Sequence, residues 1–130
     1  MTVLDASVFI DSIARSGREG DRARKAVRLI GTADVPSHFK AEATAGLRRM
    51  EHLNRIDSHL AREALLSIKR APVRSHDIDP LLDRVWELRD TVTVYDAWYV
   101  ALAERLRAPL VTADQRLAEA PGPECEFVVI

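Results

Sequence analysis

A single cysteine, Cys125, stands among 130 residues, so no internal disulfide can staple the chain, and four scattered histidines offer no zinc-ligand spacing. Any metal held here should be a hard cation with oxygen ligands. Long apolar runs are also missing. Stretches such as Val8 to Ile10 and Phe127 to Ile130 fall far short of the roughly 20 residues that a bilayer-spanning helix needs. The N-terminus lacks the basic, apolar and small-residue regions of a secretory signal, which points to the cytoplasm and to no membrane association. No repeat, low-complexity tract or Pro/Gly/Ser-rich linker divides the sequence, so residues 1–130 are expected to form a single domain. A net charge of −1 excludes a polycation, and any nucleic-acid contact has to come from local patches. Lysine is scarce, at three residues against sixteen arginines.

Short apolar or β-branched runs alternate with longer helical patterns, an α/β rhythm. Strands are predicted near residues 2–5, 33–36, 71–75, 109–112 and 126–129, with helices in the gaps. Ile78, Leu81, Leu82, Val85 and Trp86 form one apolar stripe on a helix opened by Asp79-Pro80, with the aspartate as N-cap. Leu60, Ala64, Leu65 and Ile68 form another, and Ser37 is placed to cap a third helix running to about Met50. The segment from Gly17 to Gly31 is basic outside and apolar at Ala23, Val27 and Ile30. Strands separated by helices imply a parallel sheet with helices on its faces, and in such sheets ligands gather outside the carboxyl ends of the strands, where the strand order switches.

Four acids, Asp5, Glu42, Asp96 and Asp114, each sit where an apolar run meets a turn or a helix start. A carboxylate in an apolar setting is costly unless it is protonated, paired or bound to a cation, so a shared divalent cation would explain all four. Helix capping is the rival for each alone. Asp5 interrupts Val3-Leu4-Asp5-Ala6-Ser7-Val8 at a strand-to-helix turn where it or Ser7 can cap. Glu42 shares a helical face with Ala45, Gly46 and Arg49, and small residues at 41, 43, 45 and 46 allow close approach of another surface. Asp96 follows Thr93-Val94-Tyr95 in capping-box spacing but leads into the nearly all-apolar Ala97 to Ala103. Asp114 ends Leu110-Val111-Thr112-Ala113-Asp114, where the Thr112 hydroxyl can orient a carboxylate or a water. Crowded carboxylates repel one another, so their pKa values should rise when no cation is present.

Arginines cluster from Arg15 to Arg28, including Arg22, and again at Arg48 and Arg49. Guanidinium suits phosphate, although it also suits any solvated surface. A receiver-type signalling module needs a lysine after a late strand, and the only lysines are Lys25, Lys40 and Lys69. A phosphatase of the haloacid dehalogenase type needs a second aspartate two residues after the first, where this chain has Ser7.

Taken in order, Val3-Leu4-Asp5-Ala6-Ser7, Ala41-Glu42 with Leu47-Arg48-Arg49, Tyr95-Asp96-Ala97-Trp98-Tyr99-Val100-Ala101-Leu102-Ala103 and Leu110-Val111-Thr112-Ala113-Asp114-Gln115-Arg116-Leu117 resemble PIN-domain ribonucleases, the VapC toxins above all. The resemblance covers nearly the whole chain. It implies a three-layer α/β/α fold with a central parallel sheet of four to five strands, and a Mg²⁺ or Mn²⁺ pocket that cleaves single-stranded or looped RNA. It implies Asp5, Glu42, Asp96 and Asp114 as catalytic acids and Asp5, Asp96 and Asp114 as metal ligands. Ser7 and Thr112 would support those ligands, while Arg49 and Arg22 would meet RNA phosphates. It further implies a cognate VapB-like antitoxin, a homodimer, and contact with DNA only through the antitoxin. Two departures stand out: Gln115, Arg116 and Leu117 precede Glu119 where some relatives place a further acid early, and the segment after Glu42 lacks the asparagine that many carry. An inactive member that serves only as a binding partner would keep the same residues, and metal binding separates it from a nuclease.

Overall fold

Two residues make the middle strand of the sheet, and both are buried, as a strand covered by helices must be. In the computed structural model, which describes residues 1–130, β1 (Val3–Leu4) pairs in parallel with β2 (Ala33–Pro36) on one side and β4 (Leu110–Thr112) on the other. β3 (Val73–His76) lies outside β2 and β5 (Phe127–Val129) outside β4, giving the all-parallel order β3-β2-β1-β4-β5. The chain runs outward from β1 to β3, then returns to β1's other side at β4. The switch in strand order therefore falls between β1 and β4, and a crevice opens beyond their carboxyl ends.

The helices are α1 (Ala6–Ala14), α2 (Gly17–Ile30), α3 (Phe39–His52), α4 (Ser58–Lys69), α5 (Leu82–Glu87), α6 (Val94–Leu106) and α7 (Gln115–Glu119). α1 packs on α2, α3 and α4, while α6 lies across β1, β2 and β4 with α5 beside it. Every residue of α6 from Ala97 to Ala103 is buried, so this apolar segment is a core helix. Its first turn, with Asp96, is thereby held at the sheet's carboxyl edge. The α/β class, the parallel sheet and its five strands agree with the expectation, with boundaries shifted by one or two residues.

Several local expectations are corrected. Ser37 caps nothing; α3 starts one residue later, with His38 at the cap position and no side-chain cap. Asp79 does not cap either, because Asp79–Leu81 forms a 3₁₀ turn and Asp77 Oδ1 accepts from the Asp79 N–H instead. That turn offsets the phase of the following helix, so Leu81, Val85 and Leu88 face the core while Leu82 and Trp86 are exposed. Arg89 covers the exposed indole, its guanidinium carbon 4.5 Å from the ring centroid. In α4 the buried stripe is Ala61, Ala64 and Ile68, and Leu65 is exposed.

One buried acid lies in mid-strand. Asp34 is fully buried in β2, where Arg74, its register partner on β3, donates to it through two nitrogens at 3.0 Å each, and His76 Nε2 lies 2.9 Å away. Burial alone would raise its pKa, but these partners outweigh burial and lower it. Asp34 is thus a paired acid, the kind of burial that needs no metal.

The reassigned α5 face makes a direct prediction. Leu81→Ala should cost roughly 2–5 kcal/mol, and Leu82→Ala, next in sequence, should stay within about 0.5 kcal/mol. Urea denaturation of the two variants checks this, and equal losses would contradict the assigned face.

Candidate metal and active site

Each of the four acids is delivered to the crevice by the element that its neighbours dictate. Asp5 follows β1 directly and is 5% exposed. It caps α1 by accepting from the Ser7 N–H at 3.2 Å, and its other oxygen accepts from the Thr112 hydroxyl at 2.9 Å. Thr112 is wholly buried at the end of β4, and its Oγ1 also accepts from the Asp114 N–H at 3.1 Å. One hydroxyl thus joins the first and last acids of the set. Asp114 in turn caps α7, its Oδ1 accepting from the N–H groups of Arg116 and Leu117, which leaves Oδ2 free. The capping and site readings of Asp5 and Asp114 are therefore compatible, since a cap occupies only part of a carboxylate's lone pairs.

Asp96, in the first turn of α6, is half-buried and accepts from the Thr93 hydroxyl through Oδ2 at 2.9 Å. Glu42, in the first turn of α3, accepts from the fully buried Tyr99 hydroxyl at 2.8 Å. The face expected to join Glu42, Ala45, Gly46 and Arg49 is divided, since Ala45 and Arg49 are exposed while Ala43 and Gly46 turn inward. Gly46 meets Ile10 of α1 at ordinary contact distance. Tyr99 was not anticipated as a site residue, although its spacing of three from Asp96 places both on one helical face.

Burial raises the carboxyl pKa of Asp5, Glu42 and Asp96, and the hydrogen bonds from Thr112, Tyr99 and Thr93 only partly offset it. Mutual repulsion adds to the rise: Asp114 acts on Asp5, Asp5 and Asp96 act on Glu42, and Asp5 and Asp114 act on Asp96. The direction matches the expectation, but desolvation exceeds repulsion as its cause. No arginine or lysine forms an ion pair with any of the four, unlike Asp34. Oxygen donors with a deficit of positive charge suit a hard divalent cation. No three His, Cys, Asp or Glu side chains are drawn together tightly enough in this arrangement to hold an ion. The convergence is one of charge around a common crevice.

A cleft of about 600 Å³ runs from Ser7 and Glu42 along α1 and α3 to Met50, Arg55, Arg15 and Glu19. Its cations are Arg15 and Arg55. Arg49 is exposed outside its lining, and Arg22 borders a separate apolar groove with Val111, Val128 and Ile130. Arg15 is carried in by the tight α1–α2 corner, where a Cβ on Gly20 would lie 2.0 Å from the Arg15 carbonyl oxygen. Asp11 also lines the cleft, 3.6 Å from Arg15, with a pKa raised by burial. Its position four residues after Ser7 on α1 is the signal that could have found it.

A family model described as PIN domain matches residues 2–123. The chain belongs to the PIN-domain family. Among curated proteins it is 35% identical over 130 residues to a VapC ribonuclease of Mycobacterium bovis, covering 100% of this chain and 98% of the relative. It is 38% identical over 119 residues to Ribonuclease VapC3 of Mycobacterium tuberculosis, covering 91% and 85%. Among solved structures, the sarcin-ricin-loop-cleaving toxin VapC20 of Mycobacterium tuberculosis superposes with a TM-score of 0.69 at 15% identity, covering 92% and 94%. VapBC2 of Rickettsia felis, bound to a promoter DNA fragment, does so at 0.68 and 16% identity, covering 98% and 97%. These two likenesses concern the fold, and the PIN fold agrees with the resemblance carried by the acidic motifs.

Carboxyl groups with raised pKa values favour the folded state while protonated. That contribution is complete below their ordinary pKa and is lost as pH rises through the raised values. With a chelator present, Glu42→Gln, which keeps an acceptor for Tyr99, should therefore melt above wild type at about pH 7.5, and the gap should close toward about pH 4. Melting curves across pH check this; a Glu42→Gln variant that melts below wild type at neutral pH would contradict it.

Proposed function

We propose that this PIN domain is a divalent-metal-dependent endoribonuclease that hydrolyses RNA phosphodiester bonds and acts as the toxin of a toxin–antitoxin pair. The observation that carries the reading is the convergence of Asp5, Glu42, Asp96 and Asp114 on the switch-point crevice of a chain whose full-length relatives are named ribonucleases. Asp5, Asp96 and Asp114, which repel one another across the crevice, would close on the cation, Mg²⁺ or Mn²⁺, to hold it, with Ser7 and Thr112 fixing the orientation of Asp5 and Asp114. When bound, such a cation acidifies water and neutralises charge growing on phosphoryl oxygens. Glu42 keeps Oε1 unbonded while Oε2 is fixed, so its carboxylate can orient a water and take its proton. Its raised pKa makes this carboxylate a stronger base than an ordinary glutamate.

Arg15 and Arg55 in the cleft would grip phosphates flanking the cut, and Arg49 and Arg22 would contact RNA beyond it. An unpaired or looped strand fits this open cleft, where bases can splay from the backbone. The partner that would hold the enzyme inactive is a VapB-like antitoxin, in keeping with the R. felis VapBC2 complex bound to promoter DNA, and any DNA contact of this chain would come only through that partner. We further propose a homodimer working in the cytoplasm. No helix is long and apolar enough to cross a membrane.

Labelled total RNA incubated with the chain freed of any partner should be cut with magnesium or manganese, and a chelator or Asp96→Asn should abolish cleavage while the melting curve stays cooperative. Cleavage that survives both controls would refute the assignment. Arg55→Ala should lower the slope of log affinity against log salt by about 1 when RNA binding to the Asp96→Asn background is titrated. An unchanged slope would remove Arg55 from the RNA path.

A further inference from the structure

Glu42 has a second neighbour that neither capping nor packing explains. His38, one turn earlier on the same face, sits among three aromatic rings of α6, edge-on to Trp98 at 6.1 Å and Tyr99 at 5.6 Å between centroids and tilted against Tyr95 at 6.0 Å. Its side chain is 17% exposed, and both ring nitrogens are buried without a hydrogen-bond partner. Buried polar atoms left unpaired are rare in native structures. His38 heads α3 but its side chain makes no cap. The one carboxylate within reach is Glu42, whose Oε2 lies 3.3 Å from Nε2, close but not aligned.

We propose that His38 and Tyr99 are positioning residues for Glu42, a two-donor clamp that converges on Oε2 and leaves Oε1 to act on the water. The inference rests on the ribonuclease reading. The Tyr99 hydroxyl, 2.8 Å from Oε2, supplies one donor from α6, and a small turn of the imidazole aligns Nε2–H as the second from α3. Two donors on one oxygen fix both torsion and tilt of the carboxylate, and misplacement of a reacting group by a fraction of an ångström is what such supports prevent. Both donors are neutral. Burial lowers the pKa of His38, and burial followed by the Glu42 charge pushes that of Tyr99 far up, so neither adds a full positive charge beside the carboxylate. An arginine or lysine in the same place would orient Glu42 but lower its basicity. The clamp also ties α3 to α6, which is why Tyr99, buried and large, carries its hydroxyl inward.

The test uses the full chain with manganese and labelled RNA, measuring kcat and KM separately, beside ¹⁵N NMR of the His38 ring in the metal-free protein. His38→Phe and Tyr99→Phe, which keep the rings, should each lower kcat by about 10- to 100-fold at nearly constant KM and melting temperature. His38→Gln, which returns an N–H near the Nε2 position, should restore much of the loss. In a Glu42→Gln background neither phenylalanine change should cost more. The NMR spectrum should show the neutral Nε2–H tautomer, shifted in both Glu42→Gln and Tyr99→Phe. An Nδ1–H tautomer, an unchanged kcat, or a full further loss in the Glu42→Gln background would overturn the clamp. A wild type that cuts no RNA yet shows the coupled Nε2–H signal would keep the contact and overturn the ribonuclease reading instead.

Discussion

The hydrogen bond from the buried Thr112 hydroxyl to Asp5 joins residues 107 apart in sequence and closes the sheet at its switch point. β1 and β4 pair in parallel up to Leu4 and Val111, so the next residues of each strand reach the same edge together. Asp5 begins α1 there and Thr112 hands the chain to Asp114, whose N–H returns to the same hydroxyl. α1, which starts at this bridge, lines the cleft through Ser7, Ile10 and Asp11. Asp96 and Glu42 then arrive on the first turns of α6 and α3.

Two ways of burying an acid appear side by side in this small fold. Asp34 is neutralised by a two-nitrogen contact from Arg74 and by His76, and its low pKa belongs to a closed structural pair. Asp5, Glu42 and Asp96 receive only neutral donors, from Thr112, Tyr99 and Thr93, and their pKa values rise. Neutral donors orient a carboxylate without using up its charge. The folded chain therefore carries an unfavourable electrostatic arrangement in the crevice that a bound cation would relieve.

Much of this was legible in the sequence because strand, turn and helix signals are local. Val3-Leu4-Asp5 and Leu110-Val111-Thr112 read as short buried strands, and their acids fall at the right edge once the sheet is parallel. What stayed hidden depends on three-dimensional phase. The 3₁₀ turn at Asp79–Leu81 shifted the face of α5, and Arg49 falls on the exposed side of α3. Arg15, Arg55 and Asp11 line the cleft because of how α1, α2 and α3 pack, which no spacing rule in one segment reveals. Tyr99 and His38 read as core aromatics and a scattered histidine until Glu42 is seen between α3 and α6.

Whether the crevice acids share a cation is read by calorimetric titration of manganese into the metal-free chain at mildly acidic pH, in buffers of different ionisation enthalpy. Carboxyl groups with raised pKa values must shed protons when they take up a cation. Manganese should bind with a heat that changes with the buffer, and that binding should disappear in Asp5→Asn. A folded wild type that binds no manganese, or binds it with no release of protons, would rule out a cation shared by these acids.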